Sequence, residues 1–116
     1  ILFNMHELSI AQSILAIAQK AAPPDVIITG VNIQVGELSS IETESLKFAF
    51  TAIRDETILQ KADLNIDIIP GEAQCADCSN IFHLPAFGHP CPRCQGFSLK
   101  ILKGREMKVT SLTVEE

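Results

Sequence analysis

Apolar residues recur at helical spacing along the opening of the chain. Leu8, Ala11, Leu15 and Ala18 fall three or four apart, and Ile10, Ile14 and Ile17 widen that face. The spacing predicts a helix over residues 5–20. Asn4 is placed to cap it, with Glu7 as its capping-box partner, and Pro23-Pro24 ends it. Ile27 to Val35 reads as a strand: Ile27, Val31, Ile33 and Val35 share a parity, Gly30 interrupts it and Gly36 marks the exit. A second helix is expected from Glu42 or Thr43 to Glu56, burying Leu46, Ala49, Phe50 and Ile53. Its acidic start, Glu42 and Glu44, suits the helix dipole. Leu64 to Ile69 alternates like a half-buried strand, with Leu64, Ile66 and Ile68 inward and Asn65 and Asp67 outward. Pro70-Gly71 then turns the chain. Short strands are expected around Ile81–Leu84 and Ser98–Leu102, and a last one over Glu106 to Val114.

Four cysteines change this picture. Cys75, Cys78, Cys91 and Cys94 form C-x2-C-x12-C-x2-C, and the first 74 residues contain none. A disulfide framework normally spreads its cysteines over a fold. Two C-x2-C turns instead place two thiolates each on a tight loop, and two such loops complete a tetrahedron. Zinc suits four soft thiolates. Iron in a rubredoxin-like site and a redox disulfide use the same residues. Four Cys ligands leave no open position, so the expected metal role is structural. Backbone N–H groups near the sulfurs, with help from Arg93, are expected to offset the negative charge. His83 and His89, between the knuckles, read as surface or packing residues and not as ligands.

The element order is helix, strand, helix, strand, metal module, strand. A final strand needs neighbours for its backbone groups, and returning it to the first two strands supplies them. The expected fold is therefore α+β: a small three-stranded sheet with two helices on one face, plus an inserted zinc-ribbon-like module. The corresponding boundaries are residues 1–72 for the first part of the α/β domain, 73–103 for the zinc module and 104–116 for the returning strand.

Composition and charge narrow the function classes. Hydrophobic residues make up 47% of the 116, enough for a packed core. No apolar run approaches a membrane span, and no charged-then-apolar leader opens the chain, so a soluble cytoplasmic protein is expected. The net charge of −5 argues against a general polyanion-binding surface. The charge is divided. Residues 1–72 carry ten acidic and four basic side chains, and residues 73–116 carry four and five. All five late cations, Arg93, Lys100, Lys103, Arg105 and Lys108, lie near or after the second knuckle.

Met5-His6-Glu7-Leu8-Ser9-Ile10 resembles the opening of the HypA/HybF family of nickel-incorporation proteins. Val35-Gly36-Glu37-Leu38-Ser39, the segment Glu42 to Phe50 and the two cysteine pairs resemble that family's further segments, in the same order. The resemblance covers residues 5–116. It implies a nickel metallochaperone that helps deliver Ni²⁺ to the large subunit of [NiFe]-hydrogenase, with a structural zinc. The implied partners are a HypB-type GTPase and that large subunit, with urease maturation proteins in some organisms. It also implies no catalytic turnover. Carried over residue by residue, the nickel site comprises Met5, His6, Glu7 and Glu42, with Glu44 as an alternative to Glu42. The zinc ligands are Cys75, Cys78, Cys91 and Cys94. In the family the amine of the initiating Met can serve the metal, whereas here Ile1 to Asn4 precede Met5.

The residues themselves admit plainer readings. His6 reads equally as an exposed residue of a first helical turn. Glu37 is either a satisfied polar group at a strand exit or an acceptor for the His6 ring. The main rival function is a zinc-ribbon module binding nucleic acid or protein without nickel, supported by the late basic cluster. An acid–base enzyme finds no support in a nucleophile elbow, phosphate loop or open metal triad.

Overall fold

The computed structural model describes residues 5–115, with the side chain of Met5 left aside; the expected Asn4 cap lies outside the described residues. The elements are α1 (Met5–Ala21), β1 (Ile27–Gly36), α2 (Thr43–Ile53), β2 (Asp63–Ile69), β3 (Glu72–Cys75), β4 (Ile81–His83), β5 (Leu99–Lys103) and β6 (Met107–Glu115). They form two helices and two three-stranded sheets, ordered β2-β1-β6 and β4-β3-β5. The fold is α+β, and the last strand lies beside the first.

Two compact units divide the chain. The first comprises residues up to Ile33, Ile41–Asp67 and the chain from Val109; the second comprises Gln34–Ser40 and Ile68–Lys108.

In the first unit α1 and α2 pack together. The centre of the α1 stripe is Ala11, Ile14 and Ala18, all fully buried. Leu8 and Leu15 flank it, half-buried, and Ile17 is 44% exposed, so the buried face is rotated from the expected one. Small Ala side chains at the centre permit close approach to α2, which buries the expected Leu46, Ala49 and Phe50. α2 stops at Ile53, earlier than expected. The chain continues in turns through which Leu59 and Ala62 reach the core. Thr57 closes one such turn: its Oγ1 donates to the Arg54 carbonyl and accepts from the Leu59 N–H.

β1 changes phase. Ile27 is 46% exposed and Ile28 buried, after which Val31, Ile33 and Val35 are buried as expected. On the other face Asn32 anchors a polar ladder. It accepts from the Asn65 amide at 2.9 Å and donates to the Ser111 and Thr113 hydroxyls at 3.0 and 3.1 Å. β2 keeps its expected alternation only to Asp67, because Ile68 is 47% exposed.

The second unit contains a strand that the pattern did not predict. β3 pairs antiparallel with β4 on one side and β5 on the other, with an irregularity between Glu72 and Ala73. The expected turn at Pro70-Gly71 leads straight into it. Its core is Leu38, Ala73 and Leu84, with Phe82, Leu99 and Ile101 packed against them. Leu38 comes from the segment after β1, so Val35-Gly36-Glu37-Leu38-Ser39 plugs into this sheet.

Three glycines make that insertion sterically feasible. A Cβ on Gly36 would stand 2.1 Å from the Gly104 carbonyl oxygen, and one on Gly71 would stand 2.2 Å from the Leu84 carbonyl oxygen. Gly104 itself has φ +104° and packs against the Gly71 backbone. Hydrogen bonds fix the crossing: Gly36 N–H donates to the Glu106 carbonyl at 2.8 Å, Leu38 N–H to the Gly104 carbonyl at 2.7 Å, and Leu84 N–H to the Gly71 carbonyl at 2.9 Å.

Glu37 locks the same place. Its Oε1 accepts from the Gly71 N–H at 2.9 Å and lies 2.7 Å from His83 Nε2. Of the two sequence readings, the satisfied polar residue at a strand exit is the one realised; the ring it meets is that of His83. The Gly71 N–H, followed by the His83 ring, holds the Glu37 carboxyl below its ordinary value of 4.5. A depressed folded value means the carboxylate contributes stability that is fully present above 4.5 and is lost as pH falls through the folded value. Denaturant melts of the native chain and Glu37→Gln across this range are therefore expected to converge in acid and to separate toward neutral pH. A constant separation at every pH would remove the carboxylate from the account.

Candidate metal centre

The two cysteine knuckles are local copies of one another. Cys75 N–H donates to the Asn80 carbonyl, and Ser79 N–H returns to the Cys75 carbonyl, at 2.9 Å each. Cys91 N–H donates to the Gly96 carbonyl, and Gln95 N–H returns to the Cys91 carbonyl, at 2.8 Å each. The residue after each second cysteine adopts the left-handed conformation, Ser79 at φ 64° and Gln95 at φ 66°. That reversal tightens each turn until both thiols of a pair face inward. A Cβ on Gly96 would stand 2.8 Å from the Asp77 carboxylate and 3.3 Å from the Cys94 sulfur, so the second turn is closely packed there.

The four sulfurs meet at one point, each within 4.8 Å of the others. Across the knuckles, Cys75 Sγ lies 3.5 Å from Cys94 Sγ, and Cys78 Sγ lies 3.6 Å from Cys91 Sγ. A disulfide requires about 2.05 Å, and all four cysteines are free. A tetrahedron with metal–sulfur bonds of about 2.3 Å has edges of about 3.8 Å. The cluster is thus shaped for one four-coordinate metal with no open position.

Donors around the Cys91 sulfur favour its thiolate. Arg93 N–H points at Cys91 Sγ at 3.4 Å, so the expected help from Arg93 comes through its backbone; the Asn80 amide approaches the same sulfur at 3.8 Å. Burial raises the Cys91 thiol, but the N–H groups of Cys94 and Arg93, together with Cys78 and Asn80, bring it down to about 6. Cys94 goes the other way. The Gly96 N–H lowers it, yet Cys75, burial, Cys78 and Cys91 together push it up to about 12. Cys78 is also raised, since burial and the thiols of Cys91 and Cys75 outweigh the Asn80 N–H. One thiolate forms readily and its charge keeps neighbouring protons on; a divalent cation reverses that by displacing them.

The residues expected to hold nickel lie elsewhere. Met5, His6 and Glu7 occupy the first turn of α1, where His6 is exposed and Glu7 is buried at 1% exposure. Glu42 is the exposed N-cap of α2, its side chain accepting from the Glu44 N–H at 3.4 Å. Among the described residues the cysteine cluster is the only group of three or more His, Cys, Asp or Glu gathered closely enough for a metal. His83 and His89 take no part in it.

Comparison with known proteins covers nearly the whole chain. Residues 5–114 match the family described as "Hydrogenase/urease nickel incorporation, metallochaperone, hypA". The chain belongs to the HypA family. It is 37% identical over 114 residues to the hydrogenase maturation factor HypA of Parabacteroides distasonis, covering 97% of this chain and 99% of that one. It is 39% identical to the HypA of Pelodictyon phaeoclathratiforme, covering 97% of each. The solution structure of the Ni metallochaperone HypA from Helicobacter pylori superposes with a TM-score of 0.62 at 29% identity, covering 91% of this chain and 94% of that one. A second HypA solution structure gives 0.62 at 30% identity, with 95% and 96% covered. This HypA-family chain is therefore a nickel metallochaperone of hydrogenase maturation with a four-cysteine cluster able to bind a metal. Like its family, it is a chaperone and not a catalyst. No helix among the described residues is long and apolar enough to cross a membrane.

Proposed function

We propose that this chain carries Ni²⁺ on the first turn of α1 and passes it, in the cytoplasm, to the large subunit of a [NiFe]-hydrogenase, acting with a HypB-type GTPase. The observation that carries the reading is His6: an exposed imidazole, and the only one before His83, in a chain of this family. Imidazole and backbone nitrogens suit the tetragonal geometry that Ni²⁺ accepts. Deprotonated backbone amides next to a free amine complete such a set, with Glu7 or Glu42 assisting. The four-cysteine cluster holds zinc, whose role is structural because all four positions are taken by protein. In this reading the two helices cover one face of the β2-β1-β6 sheet, and the β4-β3-β5 sheet is the inserted zinc module.

Nickel titration by calorimetry tests the assignment on three chains: from Ile1, from Met5, and His6→Ala. The His6→Ala chain is expected to lose at least about 1.4 kcal/mol of binding free energy, a tenfold weakening, with its zinc content unchanged. The chain from Met5 is expected to bind more tightly than that from Ile1, since its terminal amine keeps a basic lone pair. Equal affinities in all three would remove His6 from the site.

A further inference from the structure

The sequence concentrates its late cations in one stretch, and in the second unit three of them ring a cleft. The cleft has a volume of about 310 Å³, with Lys103, Arg105 and Lys108 around it and Ile69, Ile101 and Leu102 among its apolar lining. Lys103, Arg105 and Lys108 are all exposed. Among the described residues none of the three forms an ion pair: the bridges recorded join Lys47 with Glu44, Arg54 with Asp63 and His83 with Glu37. Arg105 is instead laid over the Phe87 ring, 5.8 Å from its centre. These cations are left available in a chain whose net charge is −5.

The strand beside the cleft adds a second feature. Lys103 ends β5, and Lys108 lies near the start of β6. β5 stands at the edge of its sheet, beside β3. An edge strand presents unpaired N–H and C=O groups, a template on which an extended segment can add.

We infer that this cleft is a docking site for an extended acidic segment of a partner protein. Carboxylates of the segment meet Lys103, Arg105 and Lys108, and its alternate apolar side chains rest on Ile69, Ile101 and Leu102. The chemistry separates this occupant from two others. A small anion would need a buried donor to hold it, whereas all three cations are solvent-facing, each worth little alone and effective only against several charges at once. A nucleic acid strand would need aromatic faces for its bases, and the cleft lining contains no aromatic residue. A mixed acidic and apolar peptide matches both the rim and the floor. The inference is independent of the nickel reading, because the cleft residues are not nickel or zinc ligands.

The test uses the full zinc-loaded chain and a fluorescently labelled synthetic peptide of alternating Glu and Val. Controls are the same peptide with Lys for Glu and a single-stranded oligothymidine. Saturable anisotropy change with the acidic peptide is expected, weakening as salt is raised. The double variant Lys103→Glu with Lys108→Glu is expected to bind it at least about tenfold more weakly, each reversal turning an attraction into a repulsion. Arg105 is left in place so that its packing on Phe87 is kept, and zinc content and the circular dichroism spectrum verify that the variant folds. His6→Ala is expected to bind the peptide like the native chain, which separates this surface from the nickel site. Failure of the acidic peptide to bind, indifference to the two reversals, or tighter binding of oligothymidine through the same lysines would each overturn the proposal.

Discussion

Removing the metal is expected to collapse the second unit while leaving the helices in place. The β4-β3-β5 sheet has strands of three to five residues, and its core is Leu38, Ala73 and Leu84 with three half-buried neighbours. Burying so few apolar side chains, at about 1.5–3 kcal/mol each, does not offset the entropy of ordering the surrounding loops, at about 1–2 kcal/mol per residue. Structural zinc in small domains contributes about 10–16 kcal/mol at neutral pH. Strong chelation, or Cys91→Ser, is therefore expected to abolish amide protection across β3, β4 and β5. Protection in α1 and α2 should persist, because Ile14, Leu46 and Phe50 are buried in the other unit. The same metal should be released in acid, since raised thiols such as Cys94, at about 12, regain protons that the cation displaced. Hydrogen exchange with and without chelator reads this directly; full protection of β3–β5 in the chelated chain would show that the thiol cluster is not what holds the unit together.

Gly36→Ala is the second large effect. The added Cβ meets the Gly104 carbonyl oxygen at 2.1 Å and the Arg105 nitrogen at 2.9 Å, both backbone atoms fixed by the Gly36–Glu106 and Leu38–Gly104 hydrogen bonds. Overpacking against a side chain costs about 1–3 kcal/mol, and here no side chain can swing away, so a loss of about 3 kcal/mol or more is expected. Gly88 is the contrasting position, where backbone conformation and not space is the constraint. Its φ is +97°, but a Cβ there meets nothing within 4 Å. Gly88→Ala should cost only the backbone strain, about 1–2 kcal/mol. Urea melts of both variants decide the matter: a loss at Gly36 no larger than that at Gly88 would mean that the crossing of Gly36 and Gly104 is tolerant.

These two effects arise from parts of the chain that were unequally legible. The metal cluster was open to reading because the chemistry of four thiolates imposes their spacing, and the fold only had to bring two identical turns together. Helix α2 was legible in phase as well as in existence, burying the expected Leu46, Ala49 and Phe50, whereas the face expected for α1 was too broad and included the exposed Ile17. Ala11, Ile14 and Ala18 form the centre of α1 because two small residues let α2 approach, an effect that ranking residues by hydrophobicity does not register. β3 was hidden for a related reason: its buried alternation consists of Ala73 and Cys75, which carry weak strand signals, and Pro70-Gly71 reads locally as a turn. No local pattern signals that Glu37 meets His83, 46 positions away, since that pairing depends on how the segment after β1 enters the second sheet. Gly36 and Gly71 show the same dependence, because only their long-range neighbours make them irreplaceable. For the nickel residues, the resemblance rather than any local pattern singled out His6 and Glu42.

Nickel reaching the hydrogenase large subunit is the measurement that bears most directly on the proposed role. Host cells lacking their own HypA-family protein would be supplied with this chain or with His6→Ala, grown in trace radioactive nickel, and their large subunit isolated and counted. The native chain is expected to restore nickel to the subunit. His6→Ala, purified from the same cells with its zinc retained, is expected to leave the subunit at least about tenfold poorer in nickel, in line with the predicted loss of affinity. Equal nickel in the large subunit with both chains, each present at the same level, would contradict the account of this protein as a carrier that holds Ni²⁺ at His6.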